Sequence, residues 1–128
     1  MGANVLSGAL GQVSRTVRDI EASTNWYRDV LGLRHLYQFG TLSFFDMGGT
    51  RLYLQQTDDP GAQSILYFRV DDIALAHAEL GARGVTFVQP PQLVHRHDDG
   101  VEEWMAFFND TEGRPLALMA EVLPAGRS

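Results

Sequence analysis

The feature that most constrains this chain is that it nearly repeats itself. Setting Gln12 on Ile65, an offset of 53, brings Val17 onto Val70, Asp19 onto Asp72, Ile20 onto Ile73 and Tyr27 onto Leu80. Further along, an offset of 64 brings Asp46 onto Asp110, Gly49 onto Gly113, Leu52 onto Leu116 and Leu54 onto Leu118. The second copy therefore carries about 11 extra residues, expected within 89–100. A unit of roughly 55 residues is marginal alone, whereas two such units can share a core.

Each copy reads as strand, helix, then three strands. In the first, 10–17 is a strand, and Asp19 can accept hydrogen bonds from the free amides of a helix start. Ile20, Thr24, Tyr27 and Leu31 then fall on one helical stripe, and Gly32 closes the helix. Strands are predicted near 34–39, 41–47 and 50–56, with turns at Gly40 and Gly48-Gly49. In the second copy a strand over 65–70 leads into a helix capped by Asp71 or Asp72, which ends near Arg83 and Gly84. Strands near 85–88 with 93–97, then 102–108 and 115–121, complete it. The expected fold is α+β: two βαβββ modules packed as one domain with a cupped mixed β-sheet. The first module covers about 8–56, a linker 57–64, the second module about 65–121, and a tail 122–128.

Composition removes several chemistries. Of 128 residues none is Cys, which excludes disulfides, thiolate nucleophiles and Cys-type zinc sites. All ten basic residues are Arg, so Schiff-base chemistry and a lysine base are excluded as well. A net charge of −6 speaks against nucleic acid as a partner. No stretch reaches transmembrane length. The N-terminus has neither the charge nor the apolar run of a secretory signal, and Leu6 stands where a myristoylation pattern needs Ser or Thr. The cytoplasm is the expected location. Asn109-Asp110-Thr111 fits a glycosylation sequon and reads as a turn.

The segments TVRDIEASTNWYRDVLGL, FRVDDIALAHAELGARGV and NDTEGRPLALMAEV together resemble the vicinal oxygen chelate superfamily. That family includes glyoxalases, extradiol dioxygenases, epimerases, fosfomycin-modifying enzymes and bleomycin-binding resistance proteins. The resemblance implies a metal centre with ligands from four strand positions related by the repeat, which fall here on Gln12, Tyr53, Ile65 and Ala117. Gln12 matches a ligand used by some glyoxalases. Ile65 and Ala117 have no donor atom, Tyr53 could ligate only through its phenol oxygen, and a catalytic divalent site commonly needs three protein ligands. No metal ligand set and no cofactor are therefore expected; a divalent metal is the weaker alternative.

Strand side chains alternate, so parity selects the neighbours of those four positions. The cup face is expected to carry Gln12, Ser14, Arg51, Tyr53, Gln55, Ile65, Tyr67, Arg69, Ala117 and Met119. The other parity (Leu52, Leu54, Leu66, Phe68, Val70, Leu116, Leu118) is almost wholly apolar and should pack on the helices. Tyr and Met walls with a few Arg and Gln donors suit a flat, partly apolar small molecule. Arg51 and Arg69 would favour a carboxylate, phosphate or phenolate on it, unless both pair with Asp or Glu across strands. His95 and His97 share a strand face beside Asp98, Asp99, Glu102 and Glu103. They read as a solvated hairpin tip or as a metal pair, with His95 a candidate donor or base at the cavity edge. Trp104 is expected in a cavity wall, while His35 and His77 have no evident partner in sequence.

The leading expectation is a metal-free protein that binds or sequesters a hydrophobic or aromatic compound, as the bleomycin-resistance type does in antibiotic resistance. The alternative is a glyoxalase-, dioxygenase- or epimerase-like enzyme with His95 or Tyr53 as catalytic candidates. The resemblance implies a homodimer.

Overall fold

The computed structural model describes residues 10–62 and 64–124. The chain divides into two compact units at Gly61/Ala62, inside the segment read as a linker. The expected first-module start at 8–9 and the tail residues 125–128 lie outside the described residues.

The first unit runs β1 (Gln12–Val17), α1 (Ile20–Asp29), β2 (Arg34–Phe39), β3 (Leu42–Met47) and β4 (Thr50–Gln56). The second runs β5 (Leu66–Arg69), α2 (Ile73–Ala82), β6 (Phe87–Arg96), β7 (Glu102–Asn109) and β8 (Pro115–Val122). Each unit is one four-stranded mixed sheet with one helix, and the strand orders match: β1-β4-β3-β2 and β5-β8-β7-β6. In both, the first strand pairs parallel to the last and the remaining pairs are antiparallel. The fold is α+β, built from two βαβββ units.

The helix ends are made alike. Asp19 accepts from Ala22 N at 3.0 Å, and Asp72, rather than Asp71, accepts from Leu75 N at 3.0 Å, each satisfying a free amide of the first turn. After each helix a glycine adopts positive φ, Gly32 at 78° and Gly84 at 96°. This left-handed step is open to glycine without a Cβ clash. It returns the next amide to the helix: Leu33 N bonds Tyr27 O at 3.1 Å and Val85 N bonds Leu80 O at 3.0 Å. Helix α1 itself ends at Asp29, so Leu31 lies beyond it, and the buried stripe is Ile20, Ser23, Thr24 and Tyr27.

The core of each unit lies between its sheet and its helix. Phe45, Leu52 and Leu54 are fully buried in the first unit, with Tyr27 against Phe45 at 6.0 Å between ring centroids. Phe108, Leu116 and Leu118 occupy the same layer in the second. Arg15, also on the helix side, is buried and donates to Tyr27 Oη at 3.5 Å.

Two strand expectations need correction. The segments 85–88 and 93–97 are one strand, β6, which runs straight through Pro90-Pro91. It is the edge of its sheet, so amides lacking there cost no ladder bond on the outer side, and register shifts absorb the extra residues. The alignment of Asp46 with Asp110 also slips by one. Phe45 opposes Leu52, whereas Phe108 opposes Leu116; Asp46 lies inside β3 and Asp110 lies in the longer turn before β8.

Candidate functional site

The parity reading places the expected residues on the sheet side away from α1 and α2 with two qualifications: Ala117 is fully buried there, and Ile65 lies just ahead of β5. In the first unit, Gln12 is in register with Arg51, and Ser14 with Tyr53; Gln55 lies one pair further on, opposite Thr16. In the second, Tyr67 is in register with Ala117 and Arg69 with Met119.

The first unit's open face is more organised than those residues alone suggest. Register carries Tyr53 onto Phe44, and Phe44 onto Tyr37. Phe44 stacks on Tyr53 with centroids 5.3 Å apart and on Tyr37 at 4.7 Å. Phe39 stacks on Tyr37 and on Phe44, both at 5.7 Å. Four rings thus make a continuous platform with interplanar angles of 5–30°. Phe39 keeps 59% of its surface exposed and Tyr37 keeps 42%, so the platform has faces and edges open to a partner.

Arg51 sits at the platform's margin. Its Nε donates to Gln12 Oε1 at 2.8 Å, its Nη1 donates to Tyr37 Oη at 3.1 Å, and its guanidinium carbon lies 5.2 Å from the Phe44 centroid. Among the described residues it makes no ion pair. Its cross-strand neighbour Asp46 instead accepts from Gly49 N at 3.4 Å. In place of a cross-strand carboxylate, Arg51 has two neutral partners and a ring face. The Arg69 side chain makes no hydrogen bond or ion pair among the described residues.

The second unit's open face carries Tyr67 edge-on to Phe107 at 6.1 Å, with Met105 opposite Met119. His95 and His97 do come together, with ring centroids 4.5 Å apart, and His97 Nε2 lies 2.6 Å from Glu103 Oε2. Two of the other hairpin carboxylates are engaged elsewhere: Glu102 with Arg96 and Trp104, and Asp99 with Val101 N. Trp104 does not join this face. It opposes Leu93 and Ala120 on the helix side, where it lines an open groove of about 580 Å³ with Asp72, Ile73, Pro91 and Leu123. Its alternation with the buried Ala106 and Phe108 along β7 was the available signal. His35 and His77 also gain partners: His35 Nε2 lies 3.0 Å from the buried Ser43 Oγ, and His77 meets Phe87 edge-on at 4.4 Å.

The residues do not fit the metal centre that the fold family implies. Gln12 Oε1, the one matching donor, is turned to a guanidinium, whose charge opposes a dication beside it. Tyr53 is stacked, and Ile65 and Ala117 offer only hydrocarbon. Among the described residues no three His, Asp or Glu side chains gather as a metal-holding group. No helix among them is long and apolar enough to cross a membrane.

Two βαβββ units with matching sheet orders, each with its helix on one side of the sheet, define the fold class. The chain belongs to the Glyoxalase/Bleomycin resistance protein/Dioxygenase superfamily, whose model matches residues 9–118. Its fold is similar to that of a lactoylglutathione lyase from Agrobacterium tumefaciens, with TM-score 0.71 and 22% identity over 88% of this chain and 93% of that one. A glyoxalase family protein from Enterococcus faecalis gives TM-score 0.73 and 22% identity over 88% and 98%. A glyoxalase/bleomycin resistance protein/dioxygenase from Nocardioides gives TM-score 0.69 and 19% identity over 97% and 89%. At these identities the likeness speaks for the fold. No curated protein matches the chain.

Proposed function

We propose that this protein binds a planar, largely apolar small molecule on the open face of its first sheet, without the family's metal centre and as a sequestering protein. The observation that carries this reading is the four-ring platform of Tyr37, Phe39, Phe44 and Tyr53. Stacked rings with exposed faces favour another π-system over a saturated body, because offset stacking contributes beyond the area buried. Gln12, Ser14 and Gln55 lie on the same face and supply neutral polar contacts at its margin.

The test compares two neutral probes by calorimetric titration: 2-naphthamide, which is flat, and cyclohexanecarboxamide, which is puckered. The flat probe is expected to bind and the puckered one not. Phe39→Leu and Tyr53→Leu should each weaken the flat probe by roughly fivefold. No binding of either probe at millimolar concentration, or equal binding of both, would remove this reading.

A further inference from the structure

We infer that the ligand is a planar aromatic oxyanion, a carboxylate or phenolate on a flat ring system, and that Arg51 supplies its counter-charge. This rests on the proposed platform and deepens it. The resemblance would put a divalent cation beside Gln12, but here the fixed positive charge beside Gln12 belongs to the protein.

Three features make Arg51 more than a surface cation. Its orientation is set from three directions: Gln12 Oε1 holds Nε, Tyr37 Oη holds Nη1, and the Phe44 ring lies under the guanidinium carbon. A planar fork held this way loses little freedom when it binds an oxyanion. Next, both polar partners are neutral, so the charge is not cancelled. The two bonds use two of the five guanidinium N–H groups, leaving both N–H of Nη2 and one of Nη1 for an oxyanion. Finally, Tyr37 and Phe44 hold Arg51 and also belong to the platform, so charge and ring faces are adjacent by construction. A carboxylate on a flat ring system would meet both at once.

Asp46 is the competitor. It stands opposite Arg51 across β3 and β4, with its carboxylate on Gly49 N at 3.4 Å. An anionic ligand has to tolerate this charge nearby. Asp46→Asn should therefore tighten the anion and leave a neutral ring unaffected.

The experiment titrates 2-naphthoate and its neutral isostere 2-naphthamide into the full chain in the presence of EDTA, with Arg51→Gln and Asp46→Asn alongside. Naphthoate should bind at least roughly tenfold more tightly than naphthamide, as expected for a charge-assisted pair. Arg51→Gln should erase that preference, bringing the two probes to equal affinity, while far-UV circular dichroism stays unchanged, since Arg51 is exposed. Asp46→Asn should increase the preference. If naphthamide binds as well as naphthoate, or if Arg51→Gln keeps the preference, the role of Arg51 is wrong and the platform stands. If naphthoate needs an added divalent metal to bind, the cation is not Arg51. If neither probe binds, the platform itself fails, and this inference goes with it.

Discussion

The two units share a strand order and a set of helix ends, and they differ on the open face of the sheet. The hydrogen-bonded pair Gln12–Arg51 of the first unit becomes, at the repeat offsets, Ile65 and Pro115 in the second. Ser14 beside Tyr53 becomes Tyr67 beside Ala117, small and aromatic exchanged across the strand pair. The stacked rings of the first unit have as counterpart an edge-on contact between Tyr67 and Phe107, backed by methionines. The helix-facing residues are much less changed: Leu52 and Leu54 recur as Leu116 and Leu118. Packing against a helix constrains one face of a sheet to apolar side chains and leaves the other face free to vary.

The largest expected effect tests whether units alike in their cores also fold as one. Leu52 and Leu116 are repeat equivalents, and both are fully buried. Leu52→Ala and Leu116→Ala should each cost about 2–5 kcal/mol. The chain has two tryptophans, Trp26 in the first unit and Trp104 in the second. Single-tryptophan variants therefore report each unit separately in denaturant melts. Units of this size are marginal alone, so either leucine change should shift both transitions together. A shift confined to the mutated unit would show two independent folding units.

Next in size is a contrast between turns. Asp110, nearly buried, accepts from Glu112 N at 2.8 Å and from Arg114 N at 2.9 Å. Asp46, its partner in the sequence alignment, makes one long contact. Asp110→Ala should cost about 1–3 kcal/mol because it strands part-buried amides, whereas Asp46→Ala should stay within about 0.5 kcal/mol. Equal losses in thermal melts would mean that the two turns matter alike.

A smaller effect separates the two faces by binding. Tyr53→Leu should weaken 2-naphthamide by about 1 kcal/mol, and Tyr67→Leu should leave it unchanged, since Tyr67 belongs to the other unit's face. Loss in both variants would mean that recognition is not confined to the first sheet.

Much of this was readable from the chain. Alternation in 50–56 and 115–122 separated the helix side from the open side, and two aspartates with two glycines fixed the helix ends. What parity could not reach was set by irregular strands. His35 and Tyr37 are two apart and by alternation should share a face. A bulge between them sends His35 to Phe45 and Ser43 on the helix side and Tyr37 to Phe44 on the open side. The bulge therefore hid Tyr37 and Phe39, whereas Phe44 stands in unbroken register with Tyr53 and alternation along β3 alone would place it on the open side. The shifts along β6 similarly hide the register that places Leu93 against Trp104 and His95 against Glu103. A bulge costs one residue of periodicity and is invisible without its partner strand.

The smallest expected effect is confined to the second unit and depends on pH. Glu102 accepts from Trp104 Nε1 at 2.9 Å and from Arg96 Nε at 2.9 Å. These bonds, Arg96 first and Trp104 second, hold its carboxyl below the ordinary value of 4.5. The folded state thus favours the ionised form. Its contribution is present above 4.5 and is lost as pH falls through the depressed folded value. The carboxylate is part-buried, but its partner Arg96 is exposed, so the effect on stability is small, and the indole N–H reports it directly. Trp104 emission in a Trp26→Phe background should stay constant from neutral pH down to about pH 5 and change below 4.5, before far-UV circular dichroism is lost. Glu102→Gln should remove that step. A change of the same size in Glu102→Gln would assign it to acid unfolding, and the tryptophan would then report the whole unit rather than one hydrogen bond.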